Sequence, residues 1–118
     1  MKITLDSTSP YVTRDGSFIR EIVHPAVQEG VNLSMAQAEV ESGSATMLHV
    51  HRTSQEVYHI TSGQGLMTLG RVEFSVGPGD TVLIMPGTAH RIRNTGEDTL
   101  VILCCCTPPY DHGDTELI

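Results

Sequence analysis

The sequence predicts an all-β barrel or sandwich formed by a single domain, 1–118, and three observations carry that prediction. Turn-forming pairs recur at short intervals: Asp15-Gly16, Glu29-Gly30, Ser42-Gly43, Ser62-Gly63, Leu69-Gly70, Gly77-Pro78-Gly79, Pro86-Gly87 and Thr95-Gly96. The stretches between them are short and rich in β-formers, and helical periodicity is nearly absent.

Taken in order, the predicted strands are Ser17–Val23, Asn32–Val40, Ala45–Val50, Glu56–Thr61, Gly65–Leu69, Arg71–Val76, Thr81–Met85, His90–Asn94 and Thr99–Cys106. They place the core barrel at about 17–106. Ser34–Glu39 (SMAQAE) has the residue types of a helix but not the caps or length of one, so it reads as strand. Residues 1–16 and 107–118 are polar and Pro-rich, and are expected to wrap the barrel or fray. Leu100–Cys106 is apolar at both parities, which predicts cover on both faces.

Charge excludes some functions. The net charge is −7, with one lysine, Lys2, and six scattered arginines, so no basic stripe exists for nucleic acid. An anionic small substrate stays open, because a metal and a few arginines can set the field inside a pocket. No apolar run reaches the ~20 residues of a membrane span. The N-terminal MKITLDSTSPYVT lacks the apolar region of a secretory signal, so the expected location is cytoplasmic.

The three cysteines are consecutive, Cys104, Cys105 and Cys106. Disulfide frameworks and zinc modules need separated cysteines, so the expectation is three small buried thiols, Cys104 and Cys106 facing one way and Cys105 the other.

The chemistry concentrates in Gly43–Gly63. His49 and His51, two apart on a strand, point to one face, and after four intervening residues of turn Glu56 returns beside them on the next strand. Further along, Pro86-Gly87 ends a strand and His90 opens another, sharing its parity with Ile92 and Asn94. Three imidazoles and one carboxylate suit one divalent transition metal: Mn, Fe, Co, Ni or Zn. Tyr58 shares the face of Glu56 and reads either as a hydrogen-bond donor to a ligand, and so a catalytic candidate, or as plain core. His59 has the opposite parity. His24 and His112 read as surface residues, with a lesser alternative at the pocket mouth. No second carboxylate or lysine is evident on an inward parity near the metal.

Gly43, His49, His51, Glu56 and Gly63 resemble the first motif of the cupin superfamily at every required position. Gly79, Gly87, His90 and Asn94 match its second motif, but Met85 stands where the family has proline and Pro86 follows one place later. The resemblance implies a double-stranded β-helix, or jelly-roll barrel, similar to small single-barrel cupins of the mannose-6-phosphate isomerase-like kind. It also implies a choice among dioxygenase, decarboxylase, isomerase and lyase chemistry or sugar-binding regulation, which fold and ligands do not decide.

Two functions follow. One is a metal-dependent enzyme acting on a small oxygen-rich metabolite, a sugar or a hydroxy- or oxo-acid, since four ligands leave two positions of a six-coordinate metal for substrate. The other is a non-catalytic metal-dependent binding or sensing module. The apolar outward residues of Leu100–Cys106 and of Ser17–Val23 predict a homodimer, with the first strand exchanged between subunits as one possibility and tails covering these faces in a monomer as the competitor.

Overall fold

The computed structural model describes residues 1–118. Eleven strands form two antiparallel sheets. They are β1 (Tyr11–Val12), β2 (Phe18–Val23), β3 (Ser34–Val40), β4 (His49–His51), β5 (Gln55–Ser62), β6 (Gly65–Leu69), β7 (Val72–Val76), β8 (Thr81–Ile84), β9 (His90–Asn94), β10 (Leu100–Thr107) and β11 (Thr115–Leu117). One sheet runs β1-β2-β3-β10-β5-β8 and the other β11-β4-β9-β6-β7. This is the expected jelly roll, and no helix is long and apolar enough to cross a membrane.

Period-two patterning sets which side of each strand meets the core. In β9, His90, Ile92 and Asn94 are buried while Arg91 and Arg93 are exposed. On the larger sheet the register lines up inward rows: Ser34, Cys106, Glu56 and Ile84 in one, Ala36, Cys104, Tyr58 and Val82 in the next. Ile60, Met67, Ile84, Ile92, Leu100 and Ile102 are fully buried in the core. A hollow remains between the sheets where Ser34, Ala36, Ala38 and Cys104 are too small to fill the space opposite β4 and β9.

Gly63 shows how tightly β5 and β10 meet. Its φ is +90°, and a Cβ there would stand 2.8 Å from the backbone of both Leu100 and Thr99, so only glycine fits.

Both arms wrap the barrel rather than fray. Tyr11 pairs with Ile19, and Thr115, Glu116 and Leu117 pair with His51, Val50 and His49. These two short strands were not predicted, since YV and TEL carry no alternation long enough to read. Ala45–Val50 was predicted as one strand, but it is an isolated bridge at Ala45 followed by β4.

The cysteine expectation needs correcting. Cys106 is buried and Cys104 half-buried, but Cys105 is exposed. It lies in an outward row with Met35, Val57 and Leu83, so parity held and burial on the outer face did not. Leu100–Cys106 is likewise covered on one face only: Leu100 and Ile102 are buried, while Val101 and Leu103 are partly open.

Candidate metal centre

β4 and β9 of one sheet and β5 of the other bring His49, His51, His90 and Glu56 together, one donor atom from each lying within 4.8 Å of the others. All four are buried. The structure therefore joins the four residues expected from the sequence. His59 turns outward, its Nδ1 2.8 Å from the Thr81 hydroxyl.

The rings are oriented by their far nitrogens. His49 Nδ1 lies 2.8 Å from the Met47 carbonyl and His90 Nδ1 2.9 Å from the Thr88 carbonyl, so each carries its proton there and presents a bare Nε2 to the centre. His51 Nδ1 lies 3.1 Å from the Thr115 hydroxyl, which donates its own hydrogen to the Asp111 carbonyl and so must accept from His51. Such second-layer contacts fix the tautomers of metal-binding histidines.

The fit of the donor set to a metal rests on one atom. His90 Nε2 is fully buried and has no hydrogen-bond partner, although Glu56 Oε1 is 3.3 Å away. A buried polar nitrogen left unsatisfied is costly unless something occupies its lone pair. This nitrogen, two further imidazole nitrogens and a carboxylate oxygen, gathered within 4.8 Å of one another, suit a borderline divalent ion.

Electrostatics agrees. Burial alone would raise the Glu56 carboxyl, but hydrogen bonding to His51 and proximity to His90 overcome it and hold it at about 2. Burial alone would lower His51, but its contact with Glu56, 3.1 Å from Nε2 to Oε1, reverses the direction and raises it. Burial and the neighbouring His90 lower His49.

Beside the centre lies a narrow chamber, with about 50 Å³ of space open to the centre of a water molecule, that opens to solvent. Tyr58 is buried at its wall, its ring edge-on to that of His90 at 5.9 Å. Burial pushes its phenol well above the usual range, so it stays protonated and able to donate.

The sequence reading missed three contributors. Asp15, in the turn before β2, places Oδ2 3.7 Å from His49 Nε2, so a second carboxylate does stand by the site. Cys106 donates its thiol hydrogen to Glu56 Oε2 at 3.2 Å. Tyr110 packs edge-on against His51 at 5.8 Å, and its backbone N–H donates to Ser34. Only the Asp-Gly turn hinted at Asp15, and that signal speaks of backbone shape, not position in space. His112 is exposed as expected. His24 is half-buried near the mouth, its Nε2 2.8 Å from the Tyr110 carbonyl.

A two-sheet barrel with three imidazoles and a carboxylate gathered on its inner wall defines a class of small metal-site barrels. Residues 36–106 match the cupin domain family, Cupin_2, and the chain belongs to it. An uncharacterized protein of Methanocaldococcus jannaschii is 51% identical over 118 residues, spanning 100% of this chain and 94% of that one. A predicted oxalate decarboxylase of Thermotoga maritima has a TM-score of 0.81 at 20% identity, over 92% of this chain and 99% of its own. Pac13, a nucleoside dehydratase from Streptomyces, has a TM-score of 0.80 at 18% identity, over 100% and 90%. At these identities the two solved structures are alike in fold alone.

Proposed function

We propose that this cupin is a metal-dependent enzyme acting on a small oxygen-rich metabolite, with His49, His51, Glu56 and His90 holding one Mn, Fe, Co, Ni or Zn ion. The observation that carries the proposal is the buried, unpartnered Nε2 of His90, facing the other three donors. Such an ion, when bound, supplies polarisation of an oxygen-bearing group, and a redox-active one adds electron transfer.

The chain's own residues do the rest. The Met47, Thr88 and Thr115 contacts hold the three rings, and Cys106 holds Glu56. Ala36 and Ala38 leave room for the metabolite, and the Tyr58 hydroxyl is placed to donate to it. Isomerisation, decarboxylation and dioxygenation all use an ion of this kind, and the family's enzymes with similar folds support this range. Asp15 and Tyr58 on the chamber wall favour enzyme over sensing module, because binding alone does not call for proton-handling groups at the ion.

The working unit in this proposal is a cytoplasmic homodimer. Its support is the outward row Met35, Cys105, Val57 and Leu83, together with Phe18 and Leu83 at 46% and 57% exposure.

Loading with each ion in turn, followed by dialysis and metal analysis, tests the site. The wild type retains one ion per chain, and His90→Ala loses it while circular dichroism still reports a folded barrel. Retention of none by the wild type, or equal retention by the variant, sinks the proposal.

A further inference from the structure

The chamber beside the proposed metal has a largely apolar wall, and its polar side chains are acids, hydroxyls and the metal-facing imidazoles, with no lysine or arginine among them. Asp15, Glu21 and Glu56 contribute carboxylates, and Tyr11, Thr13 and Ser17 are among the hydroxyl-bearing residues. The arginines nearest the arms are engaged elsewhere: Arg14 donates to the Thr115 carbonyl at 3.3 Å, Arg20 to the Thr8 carbonyl at 2.7 Å and Arg52 to the Gly113 carbonyl at 2.6 Å. His24, beside Glu21, is likewise engaged with the backbone. Its Nδ1 accepts from the Ala26 N–H, and its Nε2–H is committed to the Tyr110 carbonyl.

Asp15 is aimed. Its Oδ1 accepts from the Thr13 hydroxyl, from the Ser17 N–H at 3.0 Å and from the Ser17 hydroxyl at 2.7 Å. Its backbone carbonyl accepts from the Met47 N–H at 2.8 Å, which ties the turn to the segment leading into β4. Oδ2 alone is left over, directed at the metal centre 3.7 Å from His49 Nε2. A divalent ion set against three carboxylates leaves the chamber net negative.

We infer that the chamber selects an uncharged, hydroxyl-bearing substrate over carboxylates and phosphates, and that Asp15 sets this preference. The inference rests on the proposed metal site for the ion that polarises the substrate, and narrows that reading by removing acids from its substrate class. A hydroxyl-bearing ligand finds acceptors in Asp15 Oδ2 and Glu21, whereas a second anion at the ion would sit against Asp15 in a chamber with no cation of the protein's own.

The test uses two probes of the same skeleton. Pyruvate and hydroxyacetone differ only in carrying a carboxylate or a hydroxymethyl group beside the ketone. Zinc-loaded wild type and Asp15→Asn, which keeps the Oδ1 acceptor, are titrated with each and followed by NMR. The variant is expected to gain about tenfold in pyruvate affinity and to change by less than about threefold for hydroxyacetone. A ratio of the two affinities that moves by less than about twofold overturns the inference. Glu21→Gln shifts the ratio the same way by a smaller factor, and decides the matter if Asp15→Asn does not fold. Metal analysis of the same samples judges the metal reading separately. If zinc is not retained, that reading fails, and titration of the metal-free wild type and Asp15→Asn side by side still decides the charge preference. There pyruvate is expected to shift chamber resonances more in the variant than in the wild type, and equal shifts by pyruvate in the two overturn the inference.

Discussion

The Cys106 thiol lies 3.2 Å from Glu56 Oε2 and donates its hydrogen to it, while Glu56 Oε1 turns toward His51 and His90. One strand neighbour thus divides the carboxylate, holding one oxygen and leaving the other to face the three imidazoles. The register makes this possible by setting Cys106 directly opposite Glu56.

Cys106→Ala is expected to weaken metal affinity by about tenfold without unfolding the barrel, as loss of an outer contact does at other metal sites. Cys106→Ser, which keeps a donor, recovers most of it. Competition with a chromogenic chelator measures both, and an alanine variant as tight as wild type would show that the thiol contributes nothing.

Thr115→Val keeps the shape of the side chain and removes the oxygen that accepts from His51 Nδ1. Metal affinity should fall by about tenfold or more. Thr115→Ser should restore it, which separates the lost acceptor from a packing defect. Equal affinities for the valine and serine variants would refute this role.

Acid stability of the metal-free protein follows from Glu56. Its carboxyl is held at about 2 against an ordinary 4.5, so the folded state binds fewer protons than the unfolded state between those values. The stability contributed by ionised Glu56 is present above 4.5 and lost as pH falls toward about 2. His51 is raised from 6.5, so its share is present below 6.5 and lost as pH rises through its folded value. Urea unfolding across the range should show the advantage of wild type over Glu56→Gln greatest between 4.5 and 6.5. A constant difference would contradict the pairing.

Thiol labelling reads the outer sheet face and the assembly together. Cys104 and Cys106 point inward, burial raises both thiols, and neither should react before unfolding. Cys105 is exposed on a single chain and should label in dilute native protein, more slowly as concentration rises and the proposed dimer covers its row. Light scattering across the same dilutions should follow the change. A mass that stays at 12.8 kDa throughout removes the dimer.

Much of this was legible in the sequence, and the reason is locality. His49, His51 and Glu56 fall within eight residues, so strand parity alone sends them to one face. His90 followed from the second motif, and β6 and β9 were predicted to the residue. Asp15, Tyr110 and Thr115 were not legible, because each reaches the centre through an arm whose path depends on the finished barrel. β1 and β11 exist because β2 and β4 offer them an edge, not because their own residues ask for a strand. The outer face of β10 misled for a related reason: apolar parity records what a strand prefers to cover, and says nothing of which chain covers it.

Pairing of β11 with β4 also fixes the order in which the molecule can be completed. β4 meets β9 at a single residue pair, His49 with His90, so most of its strand pairing comes from Thr115–Leu117. Thr115 stands 64 positions after His51, and that stretch must be synthesised and folded before the second imidazole gains its anchor. The proposed ion is then expected to be held most tightly by the finished chain, once Thr115 has come to His51.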